Sequence, residues 1–144
     1  MPASTSPFGL SAPREMTHAA AGCVHGGVRS ALRLEGLALL AAAAALYGYS
    51  GFSWLLFVLL FLAPDLSMLG YSAGARVGAA AYDLAHSEAL AIAVALAGLF
   101  AGVAIAAAVG LIWLAHIGFD RALGYGLKYS TGFRDTHLGR IGRR

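Results

Sequence analysis

Apolar residues dominate Ala31–Tyr49, Phe52–Leu69, the second half of Ala75–Ala101, and Val103–Leu123. As helices, Ala31–Tyr49, Phe52–Leu69, the whole of Ala75–Ala101 and Val103–Leu123 are each about long enough to cross a hydrocarbon layer of about 30 Å. The pattern predicts an all-α fold: an integral membrane four-helix bundle with short outer turns and both termini cytoplasmic. Tyr49-Ser50-Gly51 and Gly102 are the expected outer reversals, and Gly70-Tyr71-Ser72 the inner one. Pro64 lacks an N–H and crowds the preceding turn, so the second helix is expected to be interrupted there. Ala75–Ala101 contains no proline and is expected to run as one long helix, opening on a half-polar face with Arg76, Asp83, His86 and Glu88. Small residues recur at Ala41–Ala45, Gly78–Ala81 and Ala104–Ala108, which lets helix backbones approach closely in lipid.

Composition strengthens the membrane assignment, because 59% of residues are hydrophobic and only 12% charged. Met1–Ser30 differs: it holds Pro2, Pro7 and Pro13 with Ser, Thr and Gly, and is expected to be a disordered leader. It shows no apolar run with a cleavage site of the secretory kind, and Met16 is an alternative start. Residues 31–127 then form the transmembrane domain and 128–144 a basic cytoplasmic tail. The single cysteine, Cys23, has no intrachain partner and no metal-ligand spacing, and is read as incidental. Net charge is +3, and five of the ten basic residues follow residue 125. They carry no aromatic-basic alternation, so they read as cytoplasmic flanks rather than a nucleic-acid surface. Arg29, Arg33, Arg76 and the tail cations all fall on one side, and the turns near Ser50 and Gly102 carry none. An inner-membrane protein with N-in, C-in topology follows, with the bilayer as its surroundings.

Depth counting then isolates a candidate site. Glu35 and Asp65 are each 15 residues from Ser50, and His86 and His116 are 16 and 14 residues from Gly102. At 1.5 Å per residue all four lie roughly 21–24 Å below the outer surface. Asp83 precedes His86 by three residues and Asp120 follows His116 by four, so each pair shares a helix face, with both aspartates about one turn nearer the cytoplasm. Ionisable groups within spans are costly unless they face a bundle interior or a wet cavity, which makes these six a functional-site candidate.

The set has the count of four-helix carboxylate metal proteins: one carboxylate from each of two helices and a carboxylate–histidine pair from each of the others. Imidazole with carboxylate suits zinc, iron or manganese, and an open coordination position lowers the pKa of bound water. The competing reading is a satisfied network, with Arg76 and Arg121 pairing with the aspartates, that only fixes helix register. A proton or ion path is a third. Tyr71, Tyr82, Tyr125, Tyr129, Trp54 and Trp113 read as interfacial anchors and core filling. Gly124-Tyr125-Gly126 lacks the context of a phosphate loop and reads as a flexible helix exit. His137 reads as a solvated tail histidine in preference to a further ligand.

Leu32-Arg33-Leu34-Glu35-Gly36, Pro64-Asp65-Leu66-Ser67-Met68-Leu69-Gly70-Tyr71, Tyr82 through His86, and Trp113-Leu114-Ala115-His116-Ile117-Gly118-Phe119-Asp120-Arg121 together carry a resemblance. Gly124 through Tyr129 and Asp135-Thr136-His137-Leu138-Gly139 continue it. From Ala31 to Gly142 the chain resembles a family of small bacterial membrane proteins, domain-of-unknown-function family 4260. Asp83 departs from the family pattern, where asparagine is expected. The Pro-Asp, Tyr-x-x-x-His and His-x-x-x-Asp elements are loosely similar to membrane-bound metal-dependent hydrolases related to zinc-dependent phospholipases.

The leading expectation is a metal-binding membrane protein with a hydrolase-like site acting on a lipid or other membrane-proximal substrate. Asp65, His86, His116 and Asp120 would be the metal ligands, Glu35 a ligand or general base, and Arg121 or Arg76 an anion-orienting group. The alternative is a structural or partner-binding membrane subunit, and a homo-oligomer could supply a pore that one chain lacks.

Overall fold

The computed structural model describes residues 23–142. Helix α1 spans Gly26–Tyr49, α2 Trp54–Leu60, a 3₁₀ segment Ala63–Ala73, α3 Ala75–Ala85, α4 Glu88–Phe100 and α5 Ala104–Leu123. They make four helical passes that are long and apolar enough to cross a membrane: Gly26–Tyr49, Trp54–Ala73, Ala75–Phe100 and Ala104–Leu123. The all-α bundle expected from the hydropathy pattern is therefore present. A two-stranded hairpin, β1 (Asp135–Thr136) with β2 (Gly139–Arg140), is added by the tail.

Helix α5 is the axis of the bundle, because it alone is buried over most of its length. It packs on α1 and α4 through glycines where backbone meets backbone. A Cβ built on Gly118 would fall 2.5 Å from the Leu40 amide nitrogen, and one on Gly110 would fall 2.4 Å from that of Ala95. Such approach is how helices gain packing energy in lipid, which offers no hydrophobic drive for helix association. Leu34, Leu46, Val58, Leu62, Leu69, Leu99 and Phe100 point outward and stay exposed. In water they would be a liability, but on a spanning surface they meet acyl chains.

The reversals at Gly51 and Gly102 lie where expected. Gly51 and Gly102 adopt φ of +70° and +68°. At the second of them, Val103 N–H donates to Gly98 at 2.8 Å, the long bond of a Schellman cap. Tyr47, Phe52, Trp54 and Phe57 pack together beneath the first reversal, and the Tyr47 hydroxyl donates to the Ser53 carbonyl at 2.6 Å.

Four expectations are corrected. Helix α1 begins at Gly26, inside the stretch expected to be a disordered leader, while residues 1–22 of that leader lie outside the described residues. The second pass is interrupted near Pro64 as expected, but it continues as 3₁₀ helix and reverses at Gly74, φ +111°, rather than at Gly70–Ser72. The third pass is not continuous: it breaks at His86 and Ser87, with Ser87 extended. The Ala85 carbonyl near this break accepts the Trp113 indole N–H, so a side chain from α5 satisfies the backbone there.

The helix exit at Gly124 is also ordered rather than flexible. Gly124, φ +94°, closes α5, and Tyr125 N–H donates to the Asp120 backbone carbonyl at 2.8 Å. The tail then folds under the bundle. Lys128 N–H donates to Asp83 Oδ1 at 2.7 Å, Leu138 is fully buried, and Val24 N–H donates to the His137 carbonyl at 2.9 Å.

Candidate metal centre

The break in the third pass and the 3₁₀ stretch in the second lie at the same place in the bundle, and together they build a polar centre against α5. Asp65 comes from the 3₁₀ segment, His86 from the end of α3, and His116 and Asp120 from one face of α5, four residues apart. Their four donor atoms lie within 4.8 Å of one another. His86 Nε2 is 3.2 Å from His116 Nε2, 3.5 Å from Asp65 Oδ1 and 3.4 Å from Asp120 Oδ2. His116 Nε2 is 3.5 Å from Asp65 Oδ1 and 4.0 Å from Asp120 Oδ2.

These separations are informative because ligands at about 2.0–2.2 Å from a tetrahedral ion stand about 3.3–3.6 Å apart. His86 Nδ1 lies 2.9 Å from the Tyr82 carbonyl, a pure acceptor, so the ring proton sits there and the Nε2 lone pair faces the centre. Asp65 Oδ1 and His116 Nδ1 are buried with no hydrogen-bond partner. His86, His116 and Asp120 are buried and Asp65 is partly accessible, so two carboxylates and two imidazoles converge in a nearly dry interior. A bare set of this kind is costly, and a cation offsets that cost.

Tyr82, expected to fill core or anchor an interface, belongs to the site. Its hydroxyl donates to Asp120 Oδ2 at 2.8 Å, and its ring stacks on His86 with centroids 3.7 Å apart. The Lys128 ammonium lies 4.5 Å from the same ring centroid, on a buried side chain whose burial pushes its pKa down. The Tyr-x-x-x-His spacing, one helical turn, was the available signal for Tyr82. For Lys128 there was none, since its position depends on the tail folding back. Phe61 sets the edge of its ring against His116 with centroids 5.5 Å apart.

The remaining expected residues lie elsewhere. Glu35, placed by depth counting in the same layer, projects from an exposed position into a separate cavity of about 400 Å³ lined also by Glu88, Arg121 and His137. Helical rotation, which counting along the axis ignores, separates it from the four donors. Arg121 Nε stands 3.5 Å from Glu88 Oε1, and its Nη1 is 2.8 Å from His137 Nε2. Asp83 holds the Lys128 amide instead of joining the centre, and Arg76 is exposed.

His137 is half-buried rather than solvated. The Leu127 amide donates to its Nδ1 at 2.9 Å, and the guanidinium of Arg121 flanks Nε2. Burial, and then Arg121, push its pKa below the ordinary histidine value, partly opposed by Asp83 and Glu88. The neutral ring is thus the docked form. The docking contribution is complete above the unfolded value of about 6.5 and is lost as pH falls through the lower folded value. Hydrogen exchange of the 127–138 amides, corrected for intrinsic rate, is expected to be faster at pH 5 than at pH 7.5. An H137Q chain is expected to lose that difference.

Fold and site together define a helical membrane protein with a buried two-histidine, two-aspartate cluster at the junction of two broken passes. The chain belongs to the family described as Domain of unknown function (DUF4260), which it matches over residues 29–141. No curated protein and no solved structure matches it.

Proposed function

We propose that this chain is a membrane metal protein in which Asp65, His86, His116 and Asp120 hold one divalent cation, and that its site supports hydrolysis of a lipid or other membrane-proximal substrate. The observation that carries the metal reading is the convergence of four donor atoms within 4.8 Å of one another, with four of their separations at 3.2–3.5 Å, close to the edges of a tetrahedron around one ion. The donor set suits zinc first, with iron or manganese as the other candidates. When bound, such a cation supplies Lewis-acid polarisation of a carbonyl or phosphoryl oxygen.

The chain's own residues set the terms of that chemistry. Tyr82 orients Asp120 through its hydroxyl, and the Tyr82 carbonyl fixes the His86 tautomer. Asp65 has a side chain 30% accessible while both histidines are almost fully enclosed, so approach to the centre is over Asp65. Basic residues near the start of the first pass and after the last support cytoplasmic termini, which would put the centre in the inner half of the bilayer.

Elemental mass spectrometry of detergent-purified wild type tests the metal reading: about one metal per chain is expected, and folded protein without metal overturns it. Tyr82→Phe is expected to weaken metal affinity about 10–100-fold, read by chelator competition, because Asp120 loses the Tyr82 hydroxyl that donates to it while the ring packing is kept.

A second reading is favoured by the completeness of the donor set, since four protein ligands close a tetrahedral shell as structural zinc sites do. It makes the cation a staple between broken passes rather than a reagent. Metal removal would then lower bundle stability with no hydrolytic activity to lose, and paired apolar replacement of facing ligands would restore stability.

A further inference from the structure

At the inner mouth of the bundle, away from the four-donor centre, a pocket of about 300 Å³ is lined by Arg29, Leu123, Gly124, Tyr125, Arg140 and Ile141 with Gly142. We propose that it binds the headgroup phosphate of an anionic lipid. Arg29 arises from the first turn of α1 and lies against two glycines at once. A Cβ at Gly124 or at Gly139 would meet its guanidinium at 3.5 Å. Its Nε is buried with no hydrogen-bond partner, an unsatisfied donor. Arg33, one turn further along α1, lies beside Gly124 with its Nε donating to the Ala122 carbonyl at 2.8 Å.

Charge and depth select the ligand. Two guanidinium groups, of Arg29 and Arg140, line the pocket with that of Arg33 beside it, and among the described residues the carboxylate paired with them is Asp135, whose Oδ1 is 3.7 Å from Arg140 Nε. The exposed carbonyls at the end of α5 oppose an anion, but Arg33 already engages one of them. Guanidinium is the side chain best matched to phosphate oxygens, being planar, permanently charged and forked. The pocket sits where α1 begins and α5 ends, the level of lipid phosphates beside a spanning bundle, and Leu123 and Ile141 give it an apolar flank toward the acyl region. Glycine at 124 and 139 has positive φ and leaves the room that Arg29 occupies. The arginines are thus held in place by the same tail fold that closes the bundle.

Native mass spectrometry of the full chain in detergent, with equal phosphatidylglycerol and phosphatidylcholine added, tests the proposal. A single predominant phosphatidylglycerol adduct is expected. An R29Q/R140Q chain is expected to lower its occupancy about thirty-fold, the effect of two interfacial arginines. R76Q/R134Q, with the same change in net charge, is expected to keep it. Equal adducts of the two lipids on wild type overturn the proposal, as does equal loss in both variants. Millimolar inorganic phosphate separates the sources: an adduct that persists supports the lipid, and one that is displaced overturns the lipid in favour of a free phosphate. Should R29Q/R140Q not fold, greater thermal stabilisation of wild type by phosphatidylglycerol than by phosphatidylcholine carries the same test, and equal stabilisation overturns the proposal.

Discussion

His116→Ala is expected to abolish metal binding, with content measured by elemental mass spectrometry falling from about one equivalent to below about a tenth. His116 is fully buried on the most enclosed helix, and its Nε2 lies within 4.0 Å of three other donor atoms. Alanine removes a ligand that no neighbouring donor replaces, because Glu35 and His137 face the separate cavity and Asp83 is committed to Lys128. His86→Ala is expected to behave alike. Metal at 100 times its dissociation constant stabilises a fold by about 2.7 kcal/mol, so chelator is expected to lower the melting temperature of wild type and leave both variants unmoved. Retention of stoichiometric metal by both variants would place the cation elsewhere.

Gly118→Ala is expected to cost about 3 kcal/mol or more, at the upper end of overpacking effects. The added methyl would lie 2.5 Å from the Leu40 nitrogen and 2.7 Å from the Gly36 carbonyl oxygen, and neither backbone atom can rotate away as a side chain would. α1 and α5 must separate, and Gly118 sits between His116 and Asp120, so metal affinity should fall with stability. Gly27→Ala is the control: nothing lies within 4 Å of a Cβ there, and the exchange should be neutral or slightly stabilising. Thermal unfolding in detergent, followed by helical circular dichroism, distinguishes the two.

The polar centre was legible to an unequal degree. Asp65, His86, His116 and Asp120 stood out because a charged or ionisable group within an apolar pass demands a reason, and the depth count brought three of them to one level. Asp120 followed from its i+4 relation to His116. Glu35 satisfied the same count and still lies apart, because rise along the axis is set by residue number whereas the direction a side chain faces depends on helix rotation and packing. Tyr82 was masked by its amphipathic character, which suits an interface as well as a hydrogen bond to Asp120. The break at His86–Ser87 carries no proline or glycine. There Trp113, from a different pass, satisfies the Ala85 carbonyl.

The sequence by itself determined the membrane-spanning class, the four passes and the turns at Gly51 and Gly102, since these depend on runs of apolar residues and on glycines, both local properties. Which polar residues meet, where the third pass breaks, and how residues 124–142 close the end of the bundle where α1 begins and α5 ends were decided only by tertiary structure. Those outcomes depend on close backbone contact at Gly36, Gly98, Gly110 and Gly118, on the rotation this contact imposes, and on hydrogen bonds such as Lys128 to Asp83 that join residues far apart in the chain.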